Sequence, residues 1–177
     1  MRTVSVCFRL GVIAAISLAA TALAQMPAYD QAGPIPPPLT AAKTIFVSNA
    51  GSDSGLFPSP FTGDPDRPYT EFYAALKATG SYTLVGDPAQ ADLVLELRLT
   101  APNGPSEPNK VAGASDPLPM FRLVAYDGKT HYILWTVTQS IEPVVGQKAH
   151  DKNFDMALTQ VLNRFLQIAG KPPLAAH

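Results

Sequence analysis

Cysteine is almost missing from this chain: Cys7 is the single one in 177 residues, and it precedes the apolar stretch from Leu10 to Ala20. A lipid-anchoring cysteine would have to follow that stretch, so Cys7 is not placed for one. Beyond it no thiol remains for catalysis, for a disulfide or for a cysteine-based zinc or iron–sulfur site. Histidine is nearly as scarce. His131, His150 and His177 are too far apart for any HxH, HxxxH or HExxH spacing, so no metal site is expected. Charged residues make up 15% of the chain, with no long run of either sign. Nucleic-acid binding needs a concentrated basic surface and anionic lipid needs a polybasic patch, and neither is here. Glycine motifs of the GxGxxG or GxxxxGK type, which cradle phosphates, are also absent.

What is present begins with a leader. Arg2 and Arg9 flank the start, Leu10–Ala20 is small and apolar, and Thr21-Ala22-Leu23-Ala24-Gln25 supplies a small-x-small exit. That order predicts a signal peptide over residues 1–24, cut after Ala24. The apolar run is well short of the roughly 20 residues that span a bilayer, so no membrane span is expected after cleavage. Without Arg2 and Arg9, 11 of the 13 basic residues face 14 acidic ones, a formal charge of −3. A periplasmic or secreted protein follows. The next segment, 25–42, holds Pro27, Pro34, Pro36, Pro37 and Pro38 and is expected to be a disordered, extended linker. A single domain over 43–171 and a disordered tail over 172–177 complete the chain.

Within the domain, Thr44–Ser48 reads as a strand and 51–66 as a Gly/Pro loop. A helix from Pro68 to Thr79 carries Tyr69, Phe72, Tyr73 and Leu76 on one face, and Gly80 stops it. Ser81–Val85 is a short strand, followed by a turn at Asp87-Pro88. Asp92–Thr100 then alternates strictly: Leu93, Leu95, Leu97 and Leu99 point one way, Val94, Glu96 and Arg98 the other. After a second loop, 101–117, the strands 118–126 and 130–142 meet at Asp127-Gly128. A two-residue turn there would set Tyr126 against Lys129, Val124 against His131 and Arg122 against Ile133. The last helix is expected over Asp151–Ala169 with Asp151 as N-cap. The order β-α-β-β-β-β-α predicts an α+β fold of two layers, a mostly antiparallel sheet with two helices on one face.

The stretch FYAALKATGSYTLVGDPAQADLVLEL, Phe72 to Leu97, is similar to an arrangement found in small envelope domains. It resembles the N-terminal domain of the translocation protein TolB, the curli secretion lipoprotein family and related periplasmic domains. That resemblance implies a small α/β domain acting through protein contacts or assembly, without turnover. It places no functional residue on this chain.

Catalytic readings find little support. Gly51-Ser52-Asp53-Ser54-Gly55 lacks the G-x-S-x-G register, and turn chemistry accounts for its residues. Asp64-Pro65-Asp66 opens like a calcium loop, but Pro68 occupies the third ligand position. The remaining candidate is the wet side of the sheet, where Glu96, Arg98, Arg122, His131, Ile133 and Trp135 are expected to form a binding patch. Two readings of Trp135 stay open: a contact residue, or one covered by the 101–117 loop or the N-terminal arm. The function expected is therefore binding of a protein partner in the envelope, or self-association, with no cofactor. The alternative is a hydrolase whose site is built by the 51–66 and 101–117 loops.

Overall fold

Alternation is what positions everything else. In the computed structural model, which describes residues 33–101 and 119–174, the strand Leu93–Thr100 buries Leu93, Leu95, Leu97 and Leu99 almost completely while Arg98 between them is exposed. Each such leucine contributes about 2 kcal/mol by leaving water. Around it the chain builds α1 (Pro37–Ala41), β1 (Thr44–Ser52), α2 (Arg67–Ala78), β2 (Thr83–Leu84), β3 (Leu93–Thr100), β4 (Met120–Asp127), β5 (Ile133–Ser140) and α3 (Gln147–Ile168). A 3-10 turn at Pro88–Gln90 leads into β3, its Asp87 carboxylate accepting from the Ala89 N–H.

The sheet runs β2-β1-β3-β4-β5. β1 is parallel to both of its neighbours, whereas β3, β4 and β5 form an antiparallel meander that holds most of the paired residues. Both long helices lie on the leucine face: Phe72 and Leu76 of α2 and Phe154, Val161, Leu162 and Phe165 of α3 share one core with Ile45, Val47, Leu95 and Leu97. The α+β class and the two-layer plan expected from the sequence are met. Gly80, with φ +62°, ends α2 as expected, its conformation being one that side-chained residues rarely adopt.

Two expected boundaries move. Pro37 and Pro38 open a helical turn where an extended linker was expected, because proline's fixed φ also suits the first turn of a helix. That turn drives Leu39 into the core, and Ala42 follows, so the packed domain includes part of the segment assigned to the linker. At the other end Leu174 packs on the core, and its N–H donates to Asn163 Oδ1 at 2.8 Å. The leader 1–24, residues 25–32 of the linker and residues 175–177 of the tail lie outside the described residues.

One group in the core has nothing to bond. Tyr82 is buried against Phe165, with Lys171 Nζ 5.4 Å from its ring centre, and among the described residues its hydroxyl has no hydrogen-bond partner. Desolvation pushes the phenol up to about 12. Removing an unsatisfied buried hydroxyl relieves a desolvation penalty, so Tyr82→Phe should leave stability unchanged or raise it by about 1 kcal/mol. A loss of more than that in urea unfolding would mean the hydroxyl is bonded in solution.

Candidate binding face and its anchored loop

On the side of the sheet away from both long helices, the strand register brings side chains into rows. One row is Phe46, Val94, Tyr126 and Ile133; the next is Ser48, Glu96, Val124 and Thr136; the third holds Arg98, Arg122 and Thr138. Phe46, Val94 and Tyr126 are half-buried, Ile133 is 57% exposed, and none of the four belongs to the core beneath the helices. Val124 in the middle row is buried, so the face is an apolar patch of five side chains bordered by a carboxylate and two guanidinium groups.

Glu96, Arg98, Arg122 and Ile133 of the expected patch stand together on this face. Trp135 and His131 do not, and the cause is the hairpin. Asp127 accepts from the N–H groups of Lys129 and Thr130 and from the Thr130 hydroxyl, His131 N–H closes back on the Asp127 carbonyl, and Asp127 N–H bonds the Tyr132 carbonyl. These bonds make the loop longer than two residues, so Tyr126 pairs with Ile133, Val124 with Thr136 and Arg122 with Thr138. The positive φ falls on His131, at +60°, in the exposed loop tip. A register shift between Ala125 and Tyr126 then turns both Leu134 and Trp135 toward the core, where Trp135 stands opposite Ala125. Trp135 is therefore partly buried against its own domain's core, while most of the loop and arm that were to cover it lie outside the described residues.

Arg98 and Arg122 are direct cross-strand neighbours, an arrangement that like charge disfavours. Asp53 offsets it. Its carboxylate accepts from Arg98 at 2.8 Å, from the Thr100 hydroxyl at 2.6 Å and from the Ala101 N–H at 3.0 Å. The Thr100 hydroxyl first and the Arg98 guanidinium second hold the Asp53 carboxyl down at about 2. In the sequence Asp53 was visible only as a turn residue, since its partners stand 45 and 47 positions away.

The rest of the 51–66 loop is docked onto α3. The Phe61 ring packs tilted against Phe154, centroids 5.2 Å apart, and meets His150 edge-on, Phe57 meets Phe154 edge-on, and Gln147 Nε2 donates to the Pro60 carbonyl. Arg67 closes the junction. Its guanidinium donates to Glu71, Asp151 and Asp155, each at 2.7 Å, and to the Thr62 carbonyl, while lying 4.2 Å above the Phe154 ring. Asp151 is thus inside α3 as a ligand of this cluster, where N-capping was expected; Gly146 precedes the helix instead. Burial alone would raise the Asp151 carboxyl, but the Thr62 N–H and the Arg67 guanidinium overcome it and hold it at about 2. Desolvation pushes the Glu71 carboxyl up, and its bond to Arg67 only partly offsets that. The hydrolase alternative would need a histidine within reach of a carboxylate. His150 instead packs on Phe61, and among the described residues no hydrogen bond joins a histidine to an acid and no acidic, histidine or cysteine cluster is shaped for a metal. Most of its second loop lies outside the described residues.

No known family profile and no curated protein sequence matches this chain. Solved structures do. A DUF4136 family protein from Bacteroides thetaiotaomicron superposes with a TM-score of 0.50 at 12% identity, covering 76% of this chain and 92% of that one. The PelC dodecamer from Paraburkholderia phytofirmans gives 0.43 at 15% identity over 80% and 95% of the two chains. The LpoB C-terminal domain from Salmonella enterica gives 0.37 at 14% over 59% and 85%. The first of these likenesses carries the fold alone, in line with the small α/β domain that the resemblance of Phe72–Leu97 implies. Among the described residues no helix is long and apolar enough to cross a membrane.

Proposed function

We propose that this chain is an exported, non-catalytic domain of the bacterial envelope that binds a protein partner through the open face of its sheet. The observation that carries the reading is the apolar row Phe46–Val94–Tyr126–Ile133, on a face that neither long helix covers, bordered by Glu96, Arg98 and Arg122. Aromatic and aliphatic groups ringed by charge are the composition of a recognition surface. The leader residues 1–24 and the envelope-type arrangement of Phe72–Leu97 supply the compartment. Acidic and basic border groups on one face give the partner a fixed orientation, because reversing either sign places like charges in contact.

The test is capture from envelope extracts with the full chain as bait. Wild type should retain a partner that the double variant Glu96→Arg, Tyr126→Ser retains about tenfold less, a loss of the size expected for one central aromatic and one charge. Both proteins should melt alike. The intact mass of the recovered bait reads the leader at the same time, with cleavage after Ala24 leaving Gln25 first. Equal capture by wild type and variant would retire the face as the binding surface.

A further inference from the structure

The sheet has two edges, and they differ in kind. β2 offers two residues, whereas β5 offers eight, Ile-Leu-Trp-Thr-Val-Thr-Gln-Ser. β5 contains no charged residue and no proline, the two devices that ordinarily prevent an edge strand from recruiting another strand. Its β-branched and aromatic composition favours pairing. The Ile141 N–H donates to the Pro119 carbonyl at 2.8 Å, so alternation turns the N–H and C=O groups of Thr136, Thr138 and Ser140 away from β4. All three residues are exposed, and among the described residues no strand pairs with that side. Among the described residues two side-chain bonds reach it, from Gln139 Nε2 to the Ser140 carbonyl at 3.2 Å and from Arg164 Nη1 to the Thr138 carbonyl, long at 3.4 Å. The register shift beside Leu134 blunts one end, which leaves Thr136–Ser140 as the open stretch.

We propose that β5 pairs antiparallel with β5 of a second copy of this chain, joining two sheets edge to edge. The strand suits itself as a partner. Centred on Thr138, a two-fold pairing sets Thr136 against the partner's Ser140 and Thr138 against the partner's Thr138. About six backbone bonds would form from three exchanging pairs. Hydroxyls then meet hydroxyls on the open face, a favourable cross-strand combination, and no like charges meet along the strand. A strand carrying charge would need a complementary partner; an uncharged, palindromically placed Thr-x-Thr-x-Ser is complementary to its own copy. The open stretch Thr136–Ser140 makes an edge about 17 Å long. With a helix layer beneath, the joined ends bury on the order of 1,000 Å² in total, at the lower bound for stable interfaces, so the dimer is concentration-dependent. Arg164 must leave the Thr138 carbonyl and the Gln139 amide the Ser140 carbonyl as the copies meet, which weakens it further. This goes beyond the function proposed above and uses a different surface.

Sedimentation velocity of the full chain over a range of concentrations tests it. Wild type should pass from monomer to dimer as concentration rises. Thr138→Pro removes an N–H that no strand among the described residues uses, and Thr138→Lys adds repulsion across the two-fold; each should raise the dissociation constant about tenfold or more. Circular dichroism should be unchanged, and if the proline variant unfolds the lysine variant decides. Wild type that stays monomeric at the highest concentration, or Thr138 variants that dimerise as wild type does, would overturn the proposal. The face variant Glu96→Arg, Tyr126→Ser should dimerise normally, so failed partner capture and failed dimerisation are read separately.

Discussion

Arg67→Ala should lower the stability of the domain by about 3 kcal/mol, a fall in Tm of roughly 6 to 12 °C for a domain of this size. The guanidinium is only 14% exposed and satisfies Glu71, Asp151 and Asp155 at once while covering the Phe154 ring. Alanine leaves those acids facing one another without a cation, and it strips a flat group from an aromatic that the core depends on. The three acids are unequal. Asp155 is 58% exposed and its pair is screened by water, so Asp155→Ala should cost less than about 1 kcal/mol, whereas Asp151→Ala also orphans the Thr62 N–H and should cost more. Equal effects at the two positions would show that the cluster acts as a diffuse surface field.

The same cluster sets a pH dependence. The Asp151 carboxyl is held at about 2, below its ordinary 3.8, so the stability it contributes is whole above pH 3.8 and is lost as pH falls toward 2. After allowance for solvent screening that contribution is about 1 to 2 kcal/mol. Asp53, also at about 2, adds a loss in the same window through its bonds to Thr100 and Arg98. Glu71 works with the opposite sign: its carboxyl is raised, so its contribution is present at low pH and fades as pH rises through its folded value. In the Arg67→Ala variant Asp151 keeps only its Thr62 bonds. The difference in Tm between wild type and variant should therefore narrow as pH falls from about 4 to about 2. A gap as wide in acid as at neutral pH would sink the assignment.

What could be read from the sequence was what neighbouring residues decide. Leu93 to Leu99 declared a half-buried strand by period alone, and Gly80 declared the end of α2. Pro37 and Pro38 were read as extended because local composition cannot report that Leu39, one residue on, has a place waiting in the core. The Arg67 cluster joins positions 84 and 88 apart, and Asp151 carries no local mark separating a cluster ligand from an N-cap. The binding face was half legible. Val94, Glu96, Arg98 and Arg122 follow from alternation within β3 and β4, but Phe46 enters it only through the parallel β1–β3 register. Trp135 was misplaced because one register shift reverses the face of every residue beyond it.

The hairpin that carries this shift turns at Asp127-Gly128, and Gly128→Ala should destabilise the domain by about 3 kcal/mol or more. The dipeptide suggested positive φ, yet the glycine is needed for a different reason. Gly128 N–H donates to the Asp92 carbonyl at 2.8 Å, and this close approach leaves no room for a side chain: a Cβ would fall inside the Ala91 carbonyl group, 2.9 Å from its carbon, and 3.0 Å from the Asp92 oxygen. Those atoms are backbone and cannot swing aside. Asp92 itself accepts from the N–H groups of Lys43 and Thr44, and these bonds hold its carboxyl below the ordinary range. The contact therefore ties the β4–β5 loop to the starts of β1 and β3 together, and opening it loosens three strands at one end. Gly86→Ala is the matched comparison, because a Cβ there meets nothing within 4 Å and the backbone is not left-handed. It should be neutral, or stabilise by about 0.5 kcal/mol through the unfolded chain. Because the loop carries Ile133 into the apolar row, the surviving folded fraction of Gly128→Ala should also capture its partner less well. A variant that unfolds with wild type in urea would mean that the hairpin can withdraw from Ala91 freely, and the anchoring of the face to β1 would have to be abandoned.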